Sequence, residues 1–199
     1  MEKRRYFASD HAKNELAATL KELLKTRTPE RISVKDLTST CGMGRQNFYY
    51  HFNDLNDLLY WTLRRDAASA LRGENREAAS ADGLLRLCRY FEANRAFCST
   101  AIETIGSVHL SAFWDDDVRS FIRELIERRT EQLGLHLDEI EMAACSRFYT
   151  AALWTQVRDI LYRTDRMPSP QALGQMTKLL DDQLVGLKQR TEHIPAVAG

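Results

Sequence analysis

Apolar residues recur at spacings of three and four along most of this chain, and this spacing constrains the fold more than any other feature. In the first segment the pattern comprises Ala12, Leu16, Leu20, Leu23 and Leu24. Such positions fall on one face of an α-helix, whereas a half-buried strand would alternate apolar and polar residues. Strand-like alternation is absent. The sequence therefore predicts an all-α fold of about nine helices.

Start and stop signals set the expected limits of the helices. Thr28-Pro29 ends the first helix, because the residue before a proline disfavours the helical conformation. Ser33 and Asp36 form a capping-box pattern that begins a short second helix, which Gly42 ends. Asp54 caps the fourth. Longer helices are expected near residues 9–27, 55–72, 82–94, 95–107, 114–134, 138–164 and 169–190.

The composition is that of an ordinary globular chain, with 44% hydrophobic and 28% charged residues. No apolar run approaches the ~20 residues that a membrane span needs, and no secretory signal follows the basic N-terminus. We therefore expect a cytoplasmic protein without membrane partners. The wide cysteine spacing argues against zinc and redox motifs and predicts reduced core thiols. The four cysteines are Cys41, Cys88, Cys98 and Cys145.

Charge is unevenly distributed, although the net charge is zero. Residues 1–53 carry ten Lys and Arg residues against six Asp and Glu residues, and the remainder carries eighteen against twenty-two. A basic first segment on an acidic body is compatible with nucleic-acid binding. The sequence has no glycine-rich phosphate loop, metal-spaced His/Cys set or nucleophile elbow, so we expect neither an enzyme, nor a metal site, nor a cofactor. Residues 115–117, all Asp, are expected to begin a helix.

A short helix, a turn containing Gly42 and a second short helix near the basic N-terminus form a helix-turn-helix pattern, whose second helix enters the major groove of DNA. Phe48 and Phe52 are four residues apart and define the buried side of that helix. At about 100° per residue, Gln46, Asn47 and Tyr50 then point outward.

The outward residue types suit DNA. Gln and Asn can bond bidentately to adenine and Arg to guanine, whereas Tyr, His and a helix N-terminus can bind phosphate oxygens. The predicted DNA contacts are Ser33, Lys35, Gly44, Arg45, Gln46, Asn47, Tyr49, Tyr50 and His51. An ordinary solvated helix face is the alternative interpretation, and a helical interaction module that does not bind DNA is the alternative function.

Two segments, residues 32–37 and residues 41–52, resemble the signature of the TetR/AcrR family of transcriptional regulators. The resemblance covers about residues 9–60. Residues 45–52 together with residues 90–97 are also similar to the branch that contains the dihydroxyacetone-kinase operon activator. The family implies a helix-turn-helix DNA-binding domain at 1–53 and a helical effector-binding and dimerisation domain at 54–199. It also implies a homodimer that binds double-stranded operator DNA and takes a small-molecule or protein effector.

The resemblance implies further site residues in the second domain. An effector pocket is expected at Cys88, Phe91, Phe97, His109, Phe113, Trp114 and Tyr149, although a packed core is the alternative for each. A dimer interface on the last two helices is expected at Phe148, Ala151, Trp154, Met176, Leu180 and Leu184. The predicted function is a ligand-responsive repressor of a pseudo-palindromic operator, with an activator that acts through a protein co-regulator as the alternative.

The sequence departs from the family pattern at three positions. Gly44 replaces the usual Ser or Asn at the start of the recognition helix, and Asn47 replaces Thr. Leu55 stands where a Lys usually contacts a phosphate at the start of the fourth helix. We therefore expect base preference to differ from that of other members, and we expect Lys35 or Arg45 to compensate for the missing phosphate contact.

Overall fold

The computed structural model describes residues 2–73, 78–106 and 114–192, and within them the fold is all-α, as predicted. His109 and Phe113 lie outside the described residues. None of the described helices combines the length and apolar character of a membrane crossing. In chain order the helices are α1 (Glu2–Leu24), α2 (Val34–Thr40), α3 (Arg45–His51), α4 (Leu55–Arg72), α5 (Ala81–Ala93), α6 (Arg95–Ile105), α7 (Arg119–Leu133), α8 (Glu139–Tyr162) and α9 (Ser169–Glu192).

The predicted and observed helix limits agree closely after α1. Helix α1 begins at Glu2 and ends at Leu24, so its predicted start was seven residues too late and its predicted end three residues too late. The amides of Lys25 and Thr26 instead bond carbonyls three residues earlier, which is the tighter turn that often closes a helix. Residues 115–117 lie in a π-helical turn, Trp114–Val118, that leads into α7, so the predicted helix start is confirmed.

Contacts between Cα atoms group the chain into two units. The first comprises Met1–Asp66 and Asn94–Ser111, and the second comprises Ala67–Ala93 and Ala112–Gly199. Helix α6 therefore belongs with the N-terminal helices, although α5 separates it from them along the chain. This grouping rests on contacts, so the functional boundary predicted between residues 53 and 54 stays a prediction.

The first unit has a core built from the apolar stripe of α1 and the aromatic side of α3. Leu16 and Phe48 are fully buried, and the ring of Phe52 packs on Trp61 of α4. An ion pair connects α1 to α4, since the Nζ of Lys21 lies 2.9 Å from the carboxylate of Asp66. These contacts fix α3 against α1 and α4.

The second unit contains a tight crossing at Gly83 of α5. A Cβ atom built there would lie 2.5 Å from Phe121 of α7 and 2.6 Å from the carbonyl oxygen of Leu71. Only glycine fits this approach. Nearby, Glu124 of α7 accepts hydrogen bonds from the Ala79 amide and the guanidinium of Arg72, at 2.9 and 2.6 Å. The Ala79 amide is the main cause of the lowered pKa of Glu124.

The start of α9 is connected to α5 by a long-range polar contact. The hydroxyl of Ser169 donates to the carboxylate of Glu92 at 2.7 Å, and Arg166 contacts the same carboxylate at 2.9 Å. Because Ser169 is fully buried, this contact needs its polar partner. The hydroxyl is therefore directed to another helix, and the carbonyl of Pro168 accepts the first amides of α9.

Candidate nucleic-acid interface

Helix α2 begins with the predicted capping box. The Ser33 oxygen accepts the Asp36 amide at 3.1 Å, and the Asp36 carboxylate accepts the Ser33 amide at 2.9 Å. The Ser33 hydroxyl also donates to that carboxylate, so a DNA phosphate would compete with Asp36 for its single proton. Hydrogen bonds from Ser33 hold the pKa of Asp36 below its usual range. The structure thus gives Ser33 a capping role and offers less support for the predicted DNA contact.

Gly42 forms the turn between α2 and α3. Its φ of +69° lies in the left-handed region, which glycine adopts without a steric penalty. The amide of Met43 then bonds the carbonyl of Thr38 at 2.9 Å and closes the end of α2. This turn sets the direction in which α3 leaves α2.

The outward face of α3 agrees with the predicted orientation. Phe48 has 0% exposure and Phe52 has 4%, whereas Tyr49 and Tyr50 are 59% and 75% exposed. Gly44, Arg45, Gln46 and Asn47 are exposed too. Gly44 precedes the helix and supplies no side-chain cap. The buried phenylalanines therefore hold a row of amide, guanidinium and phenol groups toward solvent.

Two basic groups flank this row. Lys35 of α2 is exposed, while His51 at the end of α3 is half-buried. Burial is the main cause that lowers the pKa of His51, and the positive charge of Lys13 acts in the same direction. The imidazole is therefore held toward its neutral form. Its ring packs edge-on against Tyr50, with 4.9 Å between the ring centroids.

The first turn of α4 carries acidic groups where the family pattern has a lysine. Asp54 accepts the amide of Asp57, and Asp57 accepts the amide of Asn53, at 2.8 and 3.0 Å. Leu55 is half-buried and cannot contact a phosphate as a lysine would. The predicted loss of that contact is therefore accompanied by two negative charges, which the resemblance did not suggest.

An aromatic and cationic contact beside α3 was missed by sequence reasoning. The guanidinium of Arg65 lies 4.7 Å from the ring centroid of Trp61, and the Nζ of Lys13 lies 5.9 Å from it. Cations over an indole face gain electrostatic stabilisation. Because Lys13 and Trp61 are far apart in sequence, helical periodicity gave no signal of their contact.

Four of the residues predicted for an effector pocket are buried side chains of the second unit. Cys88 and Phe91 are fully buried, and burial raises the pKa of the Cys88 thiol to about 12. Trp114 and Tyr149 are 6% and 3% exposed, and the Tyr149 hydroxyl bonds Gln183 at 2.9 Å. These four residues are buried in the second unit. Burial is compatible both with an effector pocket and with the packed-core alternative, so the pocket stays a prediction.

Phe97 lies apart from these four residues. Helix α6, which carries it, groups with the first unit by contacts. There the Nζ of Lys21 lies 5.0 Å from the centroid of the Phe97 ring. The ring therefore contacts α1, and the pocket role of Phe97 stays a prediction.

The residues predicted for a dimer interface also separate by exposure. Phe148 is 64% exposed, and Ala151 is exposed as well, so both are accessible to a second protomer. Leu180 and Leu184 are 3% and 0% exposed, so they already pack in the core of their own chain and their prediction is wrong. Trp154 and Met176 are half-buried. Three further apolar residues on the same two helices are also exposed, namely Ile140, Leu179 and Val185.

Comparisons with known proteins bear on both units. Residues 79–182 match the family described as "Transcriptional regulator C-terminal region" (TetR_C_8). The HTH-type dhaKLM operon transcriptional activator DhaS of Lactococcus lactis subsp. lactis is 23% identical over 148 residues, which cover 74% of this chain and 78% of that protein. The structure of the dihydroxyacetone kinase operon activator DhaS has a TM-score of 0.69 and 22% identity, covering 87% of this chain and 96% of that one.

A second solved structure, that of the TetR family transcriptional regulator PfmR from Thermus thermophilus, has a TM-score of 0.49 and 22% identity, covering 83% of this chain and 96% of that one. The family match spans more than half of this chain, and the likeness to the DhaS structure shows a shared fold. With the helix-turn-helix of α2 and α3, these findings agree with the resemblance predicted from the N-terminal signature. The chain belongs to the TetR family of DNA-binding transcriptional regulators.

Proposed function

We propose that this protein binds a pseudo-palindromic DNA operator as a homodimer, with α3 of each protomer in the major groove. The observation that carries the proposal is the exposed row on α3 above the buried Phe48. Arg45, Gln46 and Asn47 supply the donors and acceptors that base edges require. Tyr50, with its 75% exposure, extends the row by one helical turn.

Phosphate contacts would position this row without reading the sequence. Lys35 of α2 and Tyr49 of α3 are exposed and fit that role. Ser33 is a weaker candidate because its proton goes to Asp36. Asp54 and Asp57 would repel phosphates near the start of α4. The proposed phosphate contacts are therefore concentrated on α2 and α3.

The homodimer is supported by exposed apolar side chains on α8 and α9. Ile140, Phe148 and Leu179 are 80%, 64% and 61% exposed, and a second copy that covered them would remove their apolar surface from water. Small residues such as Ala151 would allow two copies of α8 to approach closely. A two-fold dimer would present its two α3 helices about 34 Å apart, one turn of B-DNA.

The regulatory output that we propose is repression relieved by a small-molecule or protein effector, carried out in the cytoplasm on the nucleoid. Activation with a protein co-regulator is the second candidate, and the activator name of the Lactococcus lactis relative favours it. A reporter gene behind the bound operator separates the two. Deletion of the regulator raises expression from a repressed promoter and lowers expression from an activated one.

Selection from a random duplex library tests the DNA assignment. We expect a pseudo-palindrome with half-site centres about 10 base pairs apart. Arg45→Ala and Gln46→Ala should each weaken the selected duplex by about 1–3 kcal/mol and relax one base position, whereas Lys35→Ala should weaken all sequences equally and reduce the salt dependence. Gln132→Ala on α7 is the control. Unchanged affinity and salt dependence in all three variants would contradict the proposal.

A further inference from the structure

A cavity of about 260 Å³ lies in the first unit, beside the start of α4. Its floor is apolar, because the buried side chains that form it carry no polar atoms. The floor and walls are Leu20, Ile32, Leu59, Leu24, Pro29 and Leu55. An apolar cavity of about 150 Å³ already accepts benzene, so this one has room for an aromatic ring and a short chain.

Polar groups line the rim of this cavity and favour a cation. Glu30 is exposed, and hydrogen bonding from the Thr28 side chain lowers its pKa, so the carboxylate is ionised at neutral pH. The hydroxyl of Thr104 donates its proton to the Thr100 carbonyl at 2.8 Å, which leaves its oxygen as an acceptor. A negative charge and an acceptor therefore stand at the mouth of an apolar chamber.

A second cavity of about 290 Å³ adjoins the first through the shared residue Asn56. Asp54 and Asp57 line it. Their carboxylates accept backbone amides at the start of α4, which fixes their positions. The negative charges of these two carboxylates disfavour an anionic ligand.

We propose that the first cavity binds small arylalkylammonium ions, with the ring against Leu20 and Leu59 and the ammonium group at Glu30. The apolar floor accounts for the ring, because burying it removes apolar surface from water. The carboxylate at the rim accounts for the charge. A site in the first unit is separate from the effector pocket that the family resemblance implies in the second domain.

The cavity also has a direct route to the recognition helix. Leu55 is the first residue of α4, and only residues 52–54 separate α4 from α3. A ligand that displaces the Leu55 side chain would shift the first turn of α4 and with it the end of α3. The effect of the ligand on α3 rests on the proposed function, whereas binding of the ligand in the cavity does not.

Calorimetric titration of the full chain with 2-phenylethylammonium chloride tests the site. We expect saturable binding with a dissociation constant of about 1 mM or lower, a scale suited to a ligand of this size. Leu24→Trp should fill the cavity and weaken binding at least tenfold, whereas Ala18→Trp on the exposed side of α1 should not. Glu30→Gln should weaken binding about two- to fivefold but leave binding of neutral 2-phenylethanol unchanged. Glu22→Gln is its control.

Absence of saturation at about 10 mM, or equal affinities in wild type and Leu24→Trp, would overturn the site. Repeating the operator titration with saturating amine tests the route to α3. An operator affinity that the amine changes in wild type but not in Leu24→Trp supports the route, and an unchanged wild-type affinity overturns it. A protein that binds the amine but no duplex would refute the proposed function and leave the site intact.

Discussion

The ring of Phe52 meets the indole of Trp61 at a centroid distance of 5.6 Å and an interplanar angle of 63°. Phe52 directly follows the recognition helix, and Trp61 lies two turns into α4, with Lys13 of α1 and Arg65 above its ring. Three helices thus converge on one aromatic contact. The orientation of α3 depends on this packing as well as on the turn at Gly42.

Phe48→Ala should strongly lower the free energy of unfolding of the first unit, whereas Tyr50→Ala should leave it nearly unchanged. Removal of a fully buried aromatic ring costs about 3–5 kcal/mol, because a cavity remains. Tyr50 is 75% exposed, so its loss should change the free energy of unfolding by less than about 0.5 kcal/mol while weakening operator binding. Urea unfolding and a gel shift on each variant check the pair. Equal stabilities would contradict the assigned orientation of α3.

His51 should make stability depend on pH in the mildly acidic range. Its pKa in the folded state is lowered below the ordinary value of about 6.5. The unfolded chain therefore takes up the proton first as the pH falls, so acid favours unfolding. The stabilisation from the neutral imidazole is fully present above about pH 6.5 and declines below it.

His51→Asn isolates this effect, because the amide does not titrate. The midpoint temperature of thermal unfolding, measured between about pH 5 and pH 8, should fall more steeply toward low pH for wild type than for the variant. Parallel curves would show that the imidazole is not held neutral. Other ionisable groups cancel in the comparison, since both proteins share them.

Gly83→Ala should destabilise the second unit by about 1–3 kcal/mol. The added methyl group would press on Phe121 and on the Leu71 carbonyl, and a backbone atom cannot move aside cheaply. Gly174→Ala in α9 is the matched control, because no atom lies within 4 Å of its added Cβ. That change should stabilise α9 by about 0.5–1 kcal/mol, the usual gain of Ala over Gly in a helix. Differential scanning calorimetry measures both.

Phe148→Glu should dissociate the proposed homodimer without unfolding the protomer. Its side chain is 64% exposed, so the charge stays in water in the monomer but would be buried against a second copy. Leu184→Glu should instead prevent folding, since Leu184 is fully buried in its own chain. Sedimentation velocity reports the mass of each variant, with Gln132→Glu on α7 as control. A Phe148→Glu protein that stays dimeric would exclude this face of α8 from the interface.

Features that depend on neighbouring residues were predictable from the sequence. The Ser33 and Asp36 capping box, the Asp54 cap and the buried pair Phe48 and Phe52 all follow from spacings of three or four residues. Hydrogen bonds and packing at such spacings are decided within one or two helical turns. For this reason the spacing of the two phenylalanines was enough to predict the orientation of α3.

Features that depend on distant residues were not predictable. An apolar stripe shows which side of α9 is covered, but whether its own chain or a second copy covers it depends on the placement of α8, so Leu180 and Leu184 were assigned wrongly. The contact between Phe97 and Lys21 joins residues 76 positions apart. Likewise, the hydrogen bond from the Ser169 hydroxyl to Glu92 joins residues 77 positions apart.

Helix α6 limits which segments of this protein can be exchanged with those of a related protein. Its residues contact α1 through Phe97 and complete the cavity rim at Thr104, so the first unit is encoded by two separate stretches of the gene. A recombination event with one crossover inside α4 would transfer α1 to α3 and leave their α6 partner behind. A chimaera that is to keep a stable first unit should therefore carry residues 95–105 from the same parent as residues 2–66.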